Sequence, residues 1–200
     1  KDGTGVADSA QIQEVLRRNF HQHEEFGARL KLLRRLLPQP YFARLDLQME
    51  KDGPIRPVYI GLRDLVDDKA RKQWVVDWRS PVATLYYEAD LGPNTYETPR
   101  GVRKVNLVDK RQYLIRHGKL EEIYRHTDER YDKMLHDVLS EHASPRLKEI
   151  ASTLQREQNQ VIRTDPNRSL ILAGVAGSGK SSIAMHRAAW ILYRKPDLRA

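Results

Sequence analysis

The sequence predicts the start of an α/β domain of the P-loop type, preceded by a long coiled-coil-type helix and a small, mostly antiparallel β module. Three observations predict it. Gly174-Val175-Ala176-Gly177-Ser178-Gly179-Lys180-Ser181 has glycine, lysine and serine at every fixed position of G-x-x-x-x-G-K-[ST], between an apolar run and a helical pattern. Gln11–Leu37 carries apolar residues in an unbroken 4-3-4-3 spacing. Between these, short runs of β-branched and aromatic residues alternate with turn signals.

The first element is a helix over Gln11–Leu37, with no proline and a single glycine, Gly27. Ile12, Leu16, Asn19, His23, Phe26, Leu30, Leu33 and Leu37 form its seam, and six of these eight are apolar. That is the narrow stripe of a coiled coil rather than the broad face of a core helix. Asn19 and His23 would cost stability there and could fix register. The seam needs a partner helix from outside this chain. Pro38 and Pro40 end the helix.

Tyr41 to Tyr124 reads as the β module. Its strand candidates are Tyr41–Gln48, Pro57–Leu62, Gln73–Trp78, Thr84–Glu88, Val105–Val108, Arg111–Arg116 and Leu120–Tyr124. Asp52-Gly53-Pro54 is a turn, and His117-Gly118 is a hairpin candidate. Core packing accounts for its aromatics, Tyr59, Trp74, Trp78, Tyr86 and Tyr87. From Asp128 the pattern is helical again, with helices over Asp128–His142 and Pro145–Arg163, the second capped by Ser144. Thr164–Arg168 is a polar loop, Ser169–Ala173 a buried strand, and Lys180–Arg194 a helix stopped before Pro196. The resulting organisation is an arm over 1–40, a β-rich module over 41–125, and the start of the P-loop domain over 126–200.

Composition narrows the chemistry. The 200 residues are 40% hydrophobic and 31% charged, with a net charge of +8, a balance that suits long exposed helices and permits an acidic partner such as nucleic acid. There is no cysteine, which excludes disulfides, thiolate metal sites and cysteine nucleophiles. No apolar stretch approaches the roughly 20 residues of a membrane span, and the beginning has no apolar signal core, so a cytoplasmic location is expected. His21 and His23, at i, i+2, do not share a helix face, and no metal-ligand spacing is present. Ser80 and Ser140 have no base within their motifs, which leaves a hydrolase triad unsupported.

The phosphate motif has a physical reading. A triphosphate is a dense negative charge, and glycines let backbone N–H groups wrap it without side-chain clashes. The helix N-terminus adds partial positive charge. The expected ligands are therefore Gly174, Ala176, Gly177, Ser178, Gly179, Lys180, Ser181 and Ser182, with Lys180 on the β- and γ-phosphates and the Ser181 hydroxyl on Mg2+. Lys180 is the catalytic candidate. Upstream, Gln158 has the donor and acceptor that match the N6/N7 edge of adenine. Taken alone, one glutamine on a helix is more readily a solvated polar face.

Thr153–Ile162 resembles the glutamine motif of superfamily 1 helicases, and Ala173–Leu192, with His186-Arg187-Ala188-Ala189-Trp190, resembles motif I of the UvrD-like group. Together they imply ATP rather than GTP, and a RecA-like domain. The preceding blocks Tyr41–Asp46, Tyr59-Ile60-Gly61, Asp77–Pro81, Leu85-Tyr86-Tyr87, Tyr96–Pro99 and Lys110–Tyr113 resemble the HelD-like ATPases associated with bacterial RNA polymerase, as does Gln155–Gln160. That resemblance runs in order from Gln11 over nearly the whole chain. It implies an arm entering the polymerase secondary channel, with Gln11–Leu37 as its returning helix. It further implies two RecA-like domains and ATP-linked release of polymerase from DNA or RNA. The acidic motif, arginine finger and second RecA-like domain of such a protein are expected beyond these residues. The fragment is therefore expected to bind ATP weakly, without turning it over. Ser182 stands where many UvrD-like helicases have arginine. Two other readings share the same residues: a repair helicase of the UvrD type acting 3'-5' on DNA, and a protein-binding arm and β module with a vestigial phosphate loop.

Overall fold

The computed structural model describes residues 4–49, 52–125, 156–175 and 178–199. The helix expected over Asp128–His142 and most of that over Pro145–Arg163 lie outside the described residues, as do Ala176 and Gly177.

Helix α1 spans Thr4–Leu36, a rod of roughly 50 Å at 1.5 Å per residue. Its seam residues Leu16, Phe26, Leu30 and Leu33 are exposed, Phe26 at 70%. No described residue covers them as a partner helix would. The helix is held at its C-terminal end by a different stripe, in which Leu36 is buried and Leu32 half-buried. Arg29 fastens the same end, pairing with the Asp68 carboxylate and donating to the Val66 carbonyl at 2.7 Å.

The chain then forms one sheet from β1 (Ala43–Gln48), β2 (Ile55–Gly61), β3 (Leu65–Asp67), β4 (Lys72–Asp77), β5 (Gly92–Thr98), β6 (Gly101–Arg116) and β7 (Lys119–Arg125). The order is β3-β4-β2-β1-β6-β5, with β7 also on β6. Every pairing is antiparallel except β2 with β4. Gly61 lies where no side chain fits, since a Cβ there would stand 2.5 Å from the Pro40 carbonyl oxygen. His117 and Gly118 both have positive φ, 52° and 76°, the backbone a two-residue hairpin requires.

Three expectations are corrected. Thr84–Glu88 is not a strand but helix α2, entered from a 3-10 turn over Pro81–Ala83. Its β-like composition yields to Pro81 at the first turn and to Lys110, whose buried Nζ donates to the carbonyls of Tyr86 (3.1 Å) and Ala89 (2.9 Å) at the helix end. Val105–Val108 and Arg111–Arg116 are one strand rather than two. The break between them is a bulge: Asp46 pairs with Asp109 while Leu47 pairs with Leu107, leaving Val108 unmatched. Ser169–Ala173 carries no ladder pairing to any described residue and is not buried; Ile171 is 99% exposed.

Helices α3 (Arg156–Arg163) and α4 (Lys180–Arg194) complete the described elements, with a 3-10 turn over Pro196–Arg199. They pack with α2 over one sheet face. Ala43, Leu45, Leu47, Ile60, Val105 and Leu107 from the sheet share a single apolar cluster with Leu85, Tyr86, Ile162, Ile183 and Trp190 from the helices. The helix that follows the phosphate motif thus folds, with α3, onto the β module. No described helix is long and apolar enough to cross a membrane.

Candidate functional site

The phosphate motif opens with Gly174, where a Cβ would meet the Ser178 hydroxyl at 2.7 Å, so any larger residue would have to turn that hydroxyl aside. Gly179 has φ +79°, in the left-handed region that glycine adopts at little cost. It is the N-cap of α4, and its carbonyl accepts the first helical bond from Ile183 N–H at 2.9 Å. The first amides of α4, which have no partner within the helix, therefore border the loop.

Lys180 folds back over the loop. Its Nζ donates to the carbonyls of Gly174 (2.7 Å) and Val175 (2.6 Å) and to Ser178 Oγ (3.5 Å). The ammonium group is thereby held among the loop residues, where an anion could exchange for the carbonyls. Ser181 is exposed on the first turn of α4, while Ser182 is half-buried with its hydroxyl 3.4 Å from His186 Nδ1.

Gln158, on the half-buried side of α3, brings its amide to the same place. Its Nε2 lies 3.9 Å from the point a Cβ on Gly179 would occupy. The glutamine and the phosphate loop, separated in sequence by a polar loop and an unpaired segment, are neighbours in space.

Residues that sequence reasoning did not single out hold this arrangement. Arg187 donates to five carbonyls: Val161, Ile162, Thr164, Asp165 and Arg168, at 2.8–3.2 Å. It clamps the connection between α3 and the phosphate loop. Asn159 is fully buried; its amide donates to Glu88 Oε1 at 2.5 Å and its oxygen accepts from Arg163 Nε at 3.0 Å. Arg163 also donates to the carbonyls of Trp78 (2.6 Å) and Ser80 (3.2 Å), and burial holds its pKa below the ordinary arginine value. The i, i+4 spacing of Asn159 and Arg163 was the available signal.

The β module reaches α4 through Arg79. This buried guanidinium pairs with Asp77 (Nε to Oδ1, 2.8 Å), donates to the Ala189 carbonyl at 3.4 Å and lies 4.9 Å over the Tyr193 ring. His186 is fully buried beside Trp78, with ring centroids 5.5 Å apart. Its Nδ1–H donates to the Ser182 carbonyl at 2.7 Å, while Nε2 has no hydrogen-bond partner among the described residues. Burial lowers its pKa below the ordinary histidine value.

No group of His, Asp or Glu among the described residues has the arrangement of a metal site. No curated protein matches the chain. A protein family does: residues 2–138 match the one described as DNA helicase IV HelD, N-terminal domain. That stretch takes in α1 and the entire sheet and ends before Gln158 and the phosphate loop. Because it spans more than half of the 200 residues, the chain belongs to the HelD N-terminal-domain family of helicases.

Proposed function

We propose that this chain is the ATP·Mg2+-binding end of a HelD-like superfamily 1 ATPase, whose full-length form binds RNA polymerase and promotes its release from nucleic acid. The observation that carries the ATP reading is the meeting of Gln158 with the loop that holds Lys180. An adenine-reading amide and a phosphate-reading ammonium at one turn suit a single adenine nucleotide. In this reading Lys180 gives up its loop carbonyls for the β- and γ-phosphates, and the amides of the loop and of α4 take the remaining phosphate oxygens. Ser181 supplies the hydroxyl that would ligate Mg2+. Hydrolysis needs groups that the described residues do not bring to the loop, so the isolated chain binds without turnover.

Support for the polymerase half comes from the family membership and from the exposed seam of α1. Two experiments test the halves separately. Titration calorimetry of the chain with ATP and Mg2+ should show heat that Lys180→Ala abolishes, and heat independent of Lys180 would defeat the nucleotide reading. Core RNA polymerase should be retained by the full-length protein and lost on deletion of Gln11–Leu37. Failure of the intact protein to retain it, together with strand separation in its absence, would favour a UvrD-like DNA helicase.

A further inference from the structure

The β5–β6 hairpin runs past the last core layer of the sheet. On the face that carries Val105 and Leu107 further in, Tyr96 and Arg103 stand opposite each other in register. Arg56 on β2, paired with Leu47 of β1, occupies the same face. With Met49, Lys104 and Arg100 at the hairpin tip, these residues line an open groove of about 830 Å³. Among the described residues no aspartate or glutamate lines it. Arg56, Arg100, Arg103 and Lys104 are all exposed.

Elsewhere on the sheet Arg44 pairs with Asp46, Arg79 with Asp77 and Arg111 with Asp109. Among the described residues none of the four groove cations pairs with a carboxylate. The groove is also preformed. The Thr98 hydroxyl donates to the Gly101 carbonyl at 2.7 Å and accepts from Arg100 N–H at 3.2 Å, which fixes the two-residue tip. Tyr96 is half-buried and packs against the core cluster, so its ring is a firm part of the floor.

We propose that this groove binds a single-stranded nucleic acid, its arginines and lysine meeting phosphates and its Tyr96–Met49 floor receiving a base. Guanidinium groups fork onto phosphate oxygens. An open trough of this volume exceeds what one small anion fills, and suits a strand passing through. The aromatic floor favours a single strand, because only an unpaired base can stack on it. Membership in a helicase family puts such strands within reach of the protein. The groove is remote in sequence from the phosphate loop, and the proposal stands apart from the nucleotide reading.

The test is fluorescence anisotropy of the chain with labelled oligothymidylate of about 20 nucleotides, without nucleotide, across a salt series. Wild type should bind with a steep salt dependence. Arg56→Gln/Arg103→Gln should bind about tenfold or more weakly, its log–log salt slope reduced by about 0.7 for each phosphate no longer neutralised. Tyr96→Leu should weaken binding with the slope unchanged. Lys69→Gln/Arg71→Gln, on the β3–β4 turn, should bind as wild type, and thermal melts should show all variants folded. Unchanged affinity in Arg56→Gln/Arg103→Gln would overturn the proposal, and so would tighter binding to duplex of equal length. Tighter binding of an oligoglutamate peptide with the same dependence on Arg56 and Arg103 would overturn it in favour of an acidic protein partner.

Discussion

The side-chain amide of Gln158 stands against Gly179, its Nε2 3.9 Å from where a Cβ would be. Gly179 is the left-handed residue that turns the loop into α4, so one point fixes the glutamine, the phosphate-loop turn and the helix N-terminus together. A separation of 3.9 Å is ordinary van der Waals contact, so a Cβ at Gly179 would clear the glutamine.

At Gly179 the backbone decides the outcome. Gly179→Ala would place its Cβ at a tolerable distance but force φ +79° on a residue that disfavours it by roughly 1–2 kcal/mol. Relaxing that strain reshapes the turn, so ATP affinity should fall about tenfold or more by calorimetry while the fold persists.

Gln158→Ala leaves the turn intact and removes only the amide. It should weaken ATP by roughly 1–3 kcal/mol, the value of a good bidentate base contact, and leave GTP nearly unchanged. Competition titrations with both nucleotides read the ratio directly. An equal loss for ATP and GTP would assign Gln158 to the loop's shape instead of to adenine.

Arg187 makes the connection between these parts rigid. Five carbonyls converge on one guanidinium, and Lys, with a single ammonium, cannot serve that fork. Arg187→Lys should therefore destabilise by about 2–3 kcal/mol in urea melts. Hydrogen exchange should show the loss concentrated in residues 161–168.

Much of this was legible in the sequence because it is local. The helix bounds Lys180–Arg194 follow from the loop before it and Pro196 after it, and His117-Gly118 names its own turn. What failed was decided at a distance. Thr84–Glu88 looks like a strand until Lys110, on β6, caps it as a helix. Gly92-Pro93-Asn94-Thr95 has turn composition, yet pairs with β6 as an edge strand that no local signal announces. The clamp of Arg187 on a loop before the phosphate motif is likewise a tertiary fact.

His186 makes stability depend on pH in the acid range. Its pKa is lowered by burial, and protonation would place an N–H at Nε2 where no described acceptor stands. Because the unfolded chain binds the proton more tightly, the contribution is complete above the ordinary imidazole value of about 6.5 and is lost as pH falls below it. Urea midpoints from about pH 7.5 down to about 5 should fall more steeply in wild type than in His186→Phe. Parallel profiles would refute the assignment.

Asp77 and Arg79 couple the sheet to α4, and the coupling can be measured. The Asp77 carboxylate accepts from Arg79 N–H (2.9 Å), Nε (2.8 Å) and the terminal guanidinium nitrogen (2.5 Å), with both side chains nearly excluded from solvent. Removing one partner strands a buried charge, so Arg79→Met should cost about 3–5 kcal/mol. Asp77→Asn should cost a similar amount, since the asparagine retains only part of the acceptor set. The double variant leaves no charge uncompensated and should be less destabilised than the two single losses added together. A double-mutant cycle in urea gives that shortfall as the coupling energy. A near-zero value would mean that Arg79 holds α4 through Ala189 and Tyr193 alone, with Asp77 only ordering the turn.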